Sequence, residues 1–223
     1  MIFVNCIKMR CLISVILTLS AGISLAPVVP GTPRRVRDIF PNHVGDRWTY
    51  ANAGRKEFGD QVNWLIVEVI GSLRLPNGKI ANIWLYKFPR GTDTTYVLSS
   101  GTKATVYFGN IATHPRDPGE MPMEKWSYHF PLSASDFWVL DYPHGDTVKV
   151  QPRQEVLVPA GRFSNSYLLV NYTDQSVEIR NFRKVDSVWF TPGIGVTRFV
   201  QNEFNVRPAL GNGNWELLNY QFK

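Results

Sequence analysis

The side chains able to do chemistry are few and scattered. Four histidines occur, His43, His114, His129 and His144. Two have an acid close behind, His43 with Asp46 and His144 with Asp146, and imidazole beside carboxylate suits zinc. Both pairs fall in expected turns, where His and Asp are ordinary solvated residues. Neither pair has a third ligand within reach by spacing, so no metal site is assigned. The loop "THPRDPGEMPMEKW" from Thr113 to Trp126 gathers His114, Asp117, Glu120 and Glu124 among prolines. Glycoside hydrolysis needs two carboxylates at fixed separation on a rigid frame, whereas a proline-rich loop usually connects. No Gly-x-Ser-x-Gly elbow, phosphate loop or His-Glu-x-x-His helix is present. The sequence is therefore read as non-enzymatic, with no cofactor. Asn171-Tyr172-Thr173 matches a glycosylation sequon, to which no weight is given. The richer set is aromatic. Trp64, Trp84, Tyr86, Trp126 and Trp189 could line an apolar or sugar-stacking pocket, since rings give large contact area with few rotors to freeze. The competing reading is core packing.

Charge narrows the partners. The formal net charge is +6, but five of the 24 basic residues (Lys8, Arg10, Arg34, Arg35 and Arg37) precede Asp38 and no acidic residue does. The body from Asp38 onward thus sets 19 basic against 18 acidic residues. Without a concentrated basic face, phosphate neutralisation has no source, and nucleic acid is not an expected partner.

The basic front is a leader and a tether. Lys8 and Arg10 precede or open the apolar run "CLISVILTLSAGISLA" of residues 11 to 26, whose end is rich in small residues. That is the charged, apolar and small-residue order of a signal peptide spanning 1–26, with Met9 as an alternative start. An uncleaved N-terminal anchor is the competing reading. Cys6 and Cys11 both lie inside it, so a cleaved chain has no thiol, disulfide or thiolate metal site. No cysteine follows the apolar run, which argues against a lipid anchor. Export to the periplasm, outer surface or exterior is expected. Residues 27–39, "PVVPGTPRRVRDI", read as a Pro/Arg-rich linker.

Residues 40–223 are expected to form one β domain with halves at about 40–125 and 126–223. Two patterns recur in the same order. "FPNHVGDRWTY" places Phe40, Pro41, Asp46 and Trp48 as "FPLSASDFWVL" places Phe130, Pro131, Asp136 and Trp138. "PNGKIANIWL" places Pro76, Gly78 and Asn82 as "PAGRFSNSYL" places Pro159, Gly161 and Asn165. Pro-x-Gly presets a tight turn, so each second pattern predicts a hairpin. Each Phe-Pro reads as an extended lead-in before a first strand, its Trp plugging the core. Strands are expected at 47–52, 61–70, 80–88, 94–99, 103–108, 124–129, 146–151, 154–158, 165–173, 176–190, 196–204 and 214–222. So many strands predict an all-β fold, a curled antiparallel sheet forming a barrel, half-barrel or sandwich.

With these residues in view, the chain resembles a broad group of uncharacterised secreted or lipid-anchored bacterial proteins with a recurring β-rich domain. The resemblance rests on "FPNHVGDRWTY" at 40–50, "VPAGRFSN" at 158–165 and "WFTPGIGV" at 189–196, the last carrying Pro192, Gly193 and Gly195. It implies fold and export but brings no catalytic set, because these are turn and core residues. The function expected is an exported β domain binding an apolar or amphipathic small molecule inside the sheet. The alternatives are a structural or adhesive surface module with a filled core, or a carbohydrate-active hydrolase. Partners beyond a small apolar ligand or envelope component are not readable.

Overall fold

The structure, a computed structural model, describes residues 39–53, 64–89, 91–109, 121–122, 124–140, 146–175, 182–201 and 213–223. The expected leader, the expected linker up to residue 38, both cysteines and His114, Asp117, Glu120 and His144 lie outside the described residues. No helix among the described residues is long and apolar enough to cross a membrane.

Twelve strands form one antiparallel sheet: β1 (Arg47–Asn52), β2 (Trp64–Arg74), β3 (Ile80–Phe88), β4 (Gly91–Ser100), β5 (Lys103–Phe108), β6 (Glu124–His129), β7 (Phe137–Val139), β8 (Thr147–Val158), β9 (Gly161–Gln175), β10 (Phe182–Thr191), β11 (Gly195–Gln201) and β12 (Gly213–Gln221). Alternation drives their formation. In β1, Trp48 and Tyr50 are buried while Arg47 is exposed, and in β2 Leu65, Val67 and Val69 are buried between less buried neighbours. The order is β6-β5-β4-β3-β2-β1-β12-β11-β10-β9-β8-β7. Each set of six is thus a meander, and the first and last strands pair at the middle of the sheet. Among the described residues β6 and β7 are the edge strands, share no backbone ladder with each other, and belong to one sheet. Neither a closed barrel nor a two-sheet sandwich forms, because the ladder ends before it can meet itself.

Most strand expectations hold within a few residues, with two corrections. The strands expected at 146–151 and 154–158 are one strand, β8, whose register shifts between Val150 and Arg153 and between Gln154 and Val156. Such bulges bend a strand without ending it, and Pro152 with its charged neighbours reads like a break. β7 is the first strand expected after the second Phe-Pro, but it had no expected range, because three residues leave too short an alternation to bound.

The two lead-ins have matching hydrogen bonds. Gly45 N donates to Val69 O at 2.7 Å and Ser135 N to Val150 O at 3.0 Å. Val69 N donates to Asp46 O and Val150 N to Asp136 O, both at 2.9 Å. The carboxylates match too, Asp46 Oδ2 accepting His43 N at 2.7 Å and Asp136 Oδ2 accepting Ser133 N at 2.8 Å. Both turns require a positive φ, 99° at Gly45 and 76° at Ser135. The hairpin turns share their proline but close differently. Gly78, at φ 79°, donates its N–H to Leu75 O within a wider turn. In the other turn only Pro159 and Ala160 lie between paired Val158 and Gly161.

The sheet's core holds two large clusters. One joins Phe40, Tyr128, Phe130, Leu132, Trp138 and Leu140 to Val148, Val150, Tyr167, Leu169 and Phe190. The other centres on Trp48, Tyr50, Leu65, Val67, Val69, Trp215 and Leu217, and receives Val156 and Val158 from the β8–β9 hairpin. A bulge at the β1–β12 pairing sets Thr49 opposite Asn219 but Tyr50 opposite Leu217. Leu217 O there accepts the N–H of Ala160 at 2.9 Å, fastening the hairpin tip to the sheet.

Three stability measurements follow. Phe40→Ala should lower unfolding free energy by about 3–5 kcal/mol, the usual cost of deleting a buried Phe, read from urea denaturation. Ser135→Gly should raise it by roughly 1 kcal/mol by relieving a left-handed non-glycine residue, while Gly45→Ala should lower it.

Candidate functional site

The five aromatics singled out in the sequence do not converge on one pocket. Trp84 of β3 is stacked between Phe40 and Trp48, with centroids at 5.7 and 5.0 Å, and its Nε1 donates to Asn42 Oδ1 at 2.7 Å. Tyr86, two residues on, packs in the Trp48 cluster, and burial pushes its hydroxyl pKa up to about 12. Trp126 of β6 leans on Tyr128 at 6.1 Å. Trp189 of β10 lies under the guanidinium of Arg198, 4.8 Å from its ring centre. Trp64 stands alone at the start of β2, 37% exposed. Four of the five thus contact packed clusters.

The motif residues are mostly architectural. Trp48 Nε1 donates to Ile194 O at 2.7 Å, and a side chain at Gly195 would start 3.4 Å from that indole nitrogen. Gly193 N donates to Ile39 O at 2.7 Å, so the turn carrying Pro192 is gripped from two sides by the lead-in. Pro41 is buried, whereas Pro76, Pro131 and Pro159 are exposed at turns and Asn165 is exposed on β9.

The aspartates of the two His/Asp pairs already accept hydrogen bonds from other groups. His43 Nδ1 lies 3.6 Å from Asp46 Oδ2. That fully buried carboxylate already accepts the backbone N–H groups of His43 at 2.7 Å and Lys223 at 3.2 Å. Asp146 Oδ2 accepts Asn171 Nδ2 at 3.1 Å. No group of three potential metal ligands occurs among the described residues.

One polar group escaped the sequence reading. β5 and β6 set Lys103 opposite His129 and Thr105 opposite Ser127, and Lys103 Nζ pairs with Glu124 Oε2 at 3.2 Å. Ser127 Oγ lies 3.5 Å from His129 Nε2. A serine hydroxyl beside an imidazole is the start of a nucleophile and base pair, but Ser127 is wholly buried and cannot meet a substrate from this position. His129 instead stacks on Trp138, with centroids 4.6 Å apart and planes at 9°. Burial, reinforced by the Lys103 charge and opposed by Glu124, holds its pKa below the ordinary 6.5. The sequence signal was only Ser-Tyr-His, one face of a short strand, and it gains meaning only when β5 is laid beside it.

The structure also forms an open cleft of about 160 Å³ where the lead-in crosses β3 and β4. Strand alternation aims Ile80 and Asn82 of β3 and Val97 and Ser99 of β4 to the same side, since Asn82 and Val97 are opposite partners. Across them lie Phe40, Asn42 and His43. Asn42 is used fully: Nδ2 donates to Ser99 Oγ at 3.1 Å, Oδ1 accepts from Trp84, and its carbonyl accepts from Asn82 Nδ2. Phe40 and Asn82 were expected as structural residues, and Asn42, Ile80, Val97 and Ser99 carried no sequence signal of a site.

With this geometry in hand, the chain can be set beside known proteins. No family profile and no curated protein matches it. Two solved structures resemble it. A "putative exported protein with YmcC-like fold" from Bacteroides fragilis shares 17% identity at a TM-score of 0.46, over 82% of this chain and 98% of that one. A "putative lipoprotein" from Parabacteroides distasonis shares 15% identity at a TM-score of 0.45, over 82% of this chain and 97% of that one.

The His129 environment yields a pH test. As pH falls below 6.5 the unfolded chain binds a proton at this histidine that the folded chain still refuses. Stability should therefore drop with falling pH from about 6.5 down to the depressed folded pKa, then gain no further slope from this group. Urea midpoints of wild type and His129→Gln across that range check it; equal slopes would rule out the assignment.

Proposed function

We propose that the chain is an exported, non-enzymatic β domain of the cell envelope or exterior, built from two related halves, that works through its surface as a structural or adhesive module. The observation carrying this reading is the filling of the interior. Phe40 is 2% exposed and has Trp84, Tyr128, Phe130 and Phe190 with centroids between 5.1 and 6.2 Å. Among the described residues these rings fill the space around Phe40, and the 160 Å³ cleft is smaller than the roughly 300–1,000 Å³ of drug-sized ligand sites.

The leader supports export, and the matched hydrogen bonds of the two lead-ins support a repeated unit. A non-enzymatic role is supported by how the polar residues are spent. Asp46 caps a turn, Glu124 is held by Lys103, and Ser127 is sealed from solvent.

Native mass spectrometry of the protein purified from the envelope fraction of its host tests the filled-interior reading. The expected mass is that of the mature polypeptide alone. A retained lipid or other apolar molecule, released on denaturation, would restore the internal-ligand reading instead.

A further inference from the structure

We infer that Asp146, just before β8, and Asn171 of β9 form a binding site for a hard cation, calcium by preference. The inference depends neither on export nor on the interior being filled.

Three acids are buried among the described residues, Asp46, Glu124 and Asp146. Asp46 has a backbone N–H on each oxygen, from His43 and from Lys223. Glu124 faces the Lys103 ammonium at 3.2 Å. Asp146 has neither arrangement. Its Oδ2 accepts Asn171 Nδ2 at 3.1 Å, and its Oδ1 is buried with no hydrogen-bond partner. Asn171 repeats the deficit, because its own Oδ1 is buried without a donor. The two residues are only 8% and 3% exposed. One linked pair of side chains thus holds two acceptor oxygens that nothing serves. A buried charge in that condition is costly unless it is paired or coordinates a metal.

The matching half shows that the fold does not require an acid there. Val69 N donates to Asp46 O as Val150 N donates to Asp136 O, which sets the two strands in the same frame. Four residues before Val69 stands Leu65, and four before Val150 stands Asp146. Tyr50 pairs with Leu65, and Leu140 N donates to Asp146 O at 2.8 Å. Leu65 is 1% exposed and packs in the Trp48 cluster. A place that accepts leucine in one half therefore carries an incompletely paired carboxylate in the other, and what that carboxylate can hold accounts for the difference.

The donors select the ion. Carboxylate and carboxamide oxygens are hard ligands, suited to calcium or magnesium. Calcium takes roughly six to eight oxygens in flexible geometry, whereas magnesium demands a near-ideal octahedron. The β9–β10 ladder places a second acidic residue, Asp186, opposite Asn171. With so few charged ligands the dissociation constant should be about 10⁻⁴–10⁻³ M, the weak end of calcium sites. Because Leu140 follows β7 and Asn171 pairs with Val148 of β8, an ion here would fasten the short edge strand to its neighbours.

The test is titration of the isotope-labelled protein, first stripped with chelator, with calcium and with magnesium, followed by amide and carboxyl chemical shifts and by melting temperature. Saturable calcium shifts at Asp146, Thr147 and Asn171, with a melting temperature that rises over the same concentrations, are the expected result. Asp146→Asn and Asp146→Leu, the second copying the matching half, should fold and lose that rise. Glu155→Gln, at an exposed carboxylate, should keep it. Absence of saturable shifts at these residues, an undiminished response in both Asp146 variants, or a preference for magnesium each overturns the inference. So does an Asp146 carboxyl signal that moves with pH and not with calcium, since a proton would then take the place of the ion. In the mass measurement on purified protein, chelator removes a calcium ion and leaves a lipid in place, so the filled-interior reading stands or falls separately.

Discussion

The packing of one phenylalanine organises this protein. Phe40 precedes the first strand, yet it contacts rings from β3, from β6 and the residue after it, and from β10. A sheet of antiparallel meanders has strong hydrogen bonds between neighbours but nothing in its ladder that ties strands several places apart. Side chains must do that. The lead-in supplies the tie, with Phe40 among the rings, Ile39 O on Gly193 N, and the Trp48 indole on Ile194 O. Fixing so many elements through one segment makes that segment's own geometry strict, which is why Gly45 and Asp46 are needed. Gly45 supplies the positive φ, and Lys223 methylenes lie where a side chain at Gly45 would start. Asp46 ends the turn with its oxygens on backbone donors.

The legible part of the sequence was the part governed by short-range rules. β1, β3, β5 and β6 could be bounded from alternation and turn residues because each is regular along its length. The repeated Phe-Pro and Asp spacing was visible because turn chemistry leaves fixed residue types at fixed offsets. What could not be read was anything that depends on strands meeting. The β8 bulges look like a break between strands until β9 is present to pair both sides of them. Closure of a ladder depends on whether its edges meet, and no local pattern encodes that. The tryptophans show the same limit, since a ring suited to a ligand and a ring suited to a core have the same composition. Trp84 became a core residue only because Phe40 and Trp48 cover its faces.

The cleft and the Ser127–His129 group show two fates for polar residues near a packed interior. At β6, buried Ser127 and Glu124 lie against half-buried His129 and Lys103, pairings that favour order over reactivity. At the rim, Asn42 spends its side-chain amide on Ser99 and Trp84 and its backbone carbonyl on Asn82. Neither arrangement was visible in the sequence, because each is assembled from residues on different elements. The 57 positions between Asn42 and Ser99 illustrate the distance the chain must travel to assemble it.

The pairing of β1 with β12 places the two ends of the body side by side in the sheet's interior. The Asp46 to Lys223 contact spans 177 positions, so the turn before β1 is completed only by a residue that follows β12. Loops of that length close slowly, and topologies rich in them fold late. A chain still emerging from the ribosome would hold β1 with one neighbour missing, and loss of the last strand would divide the sheet through its centre instead of trimming its border.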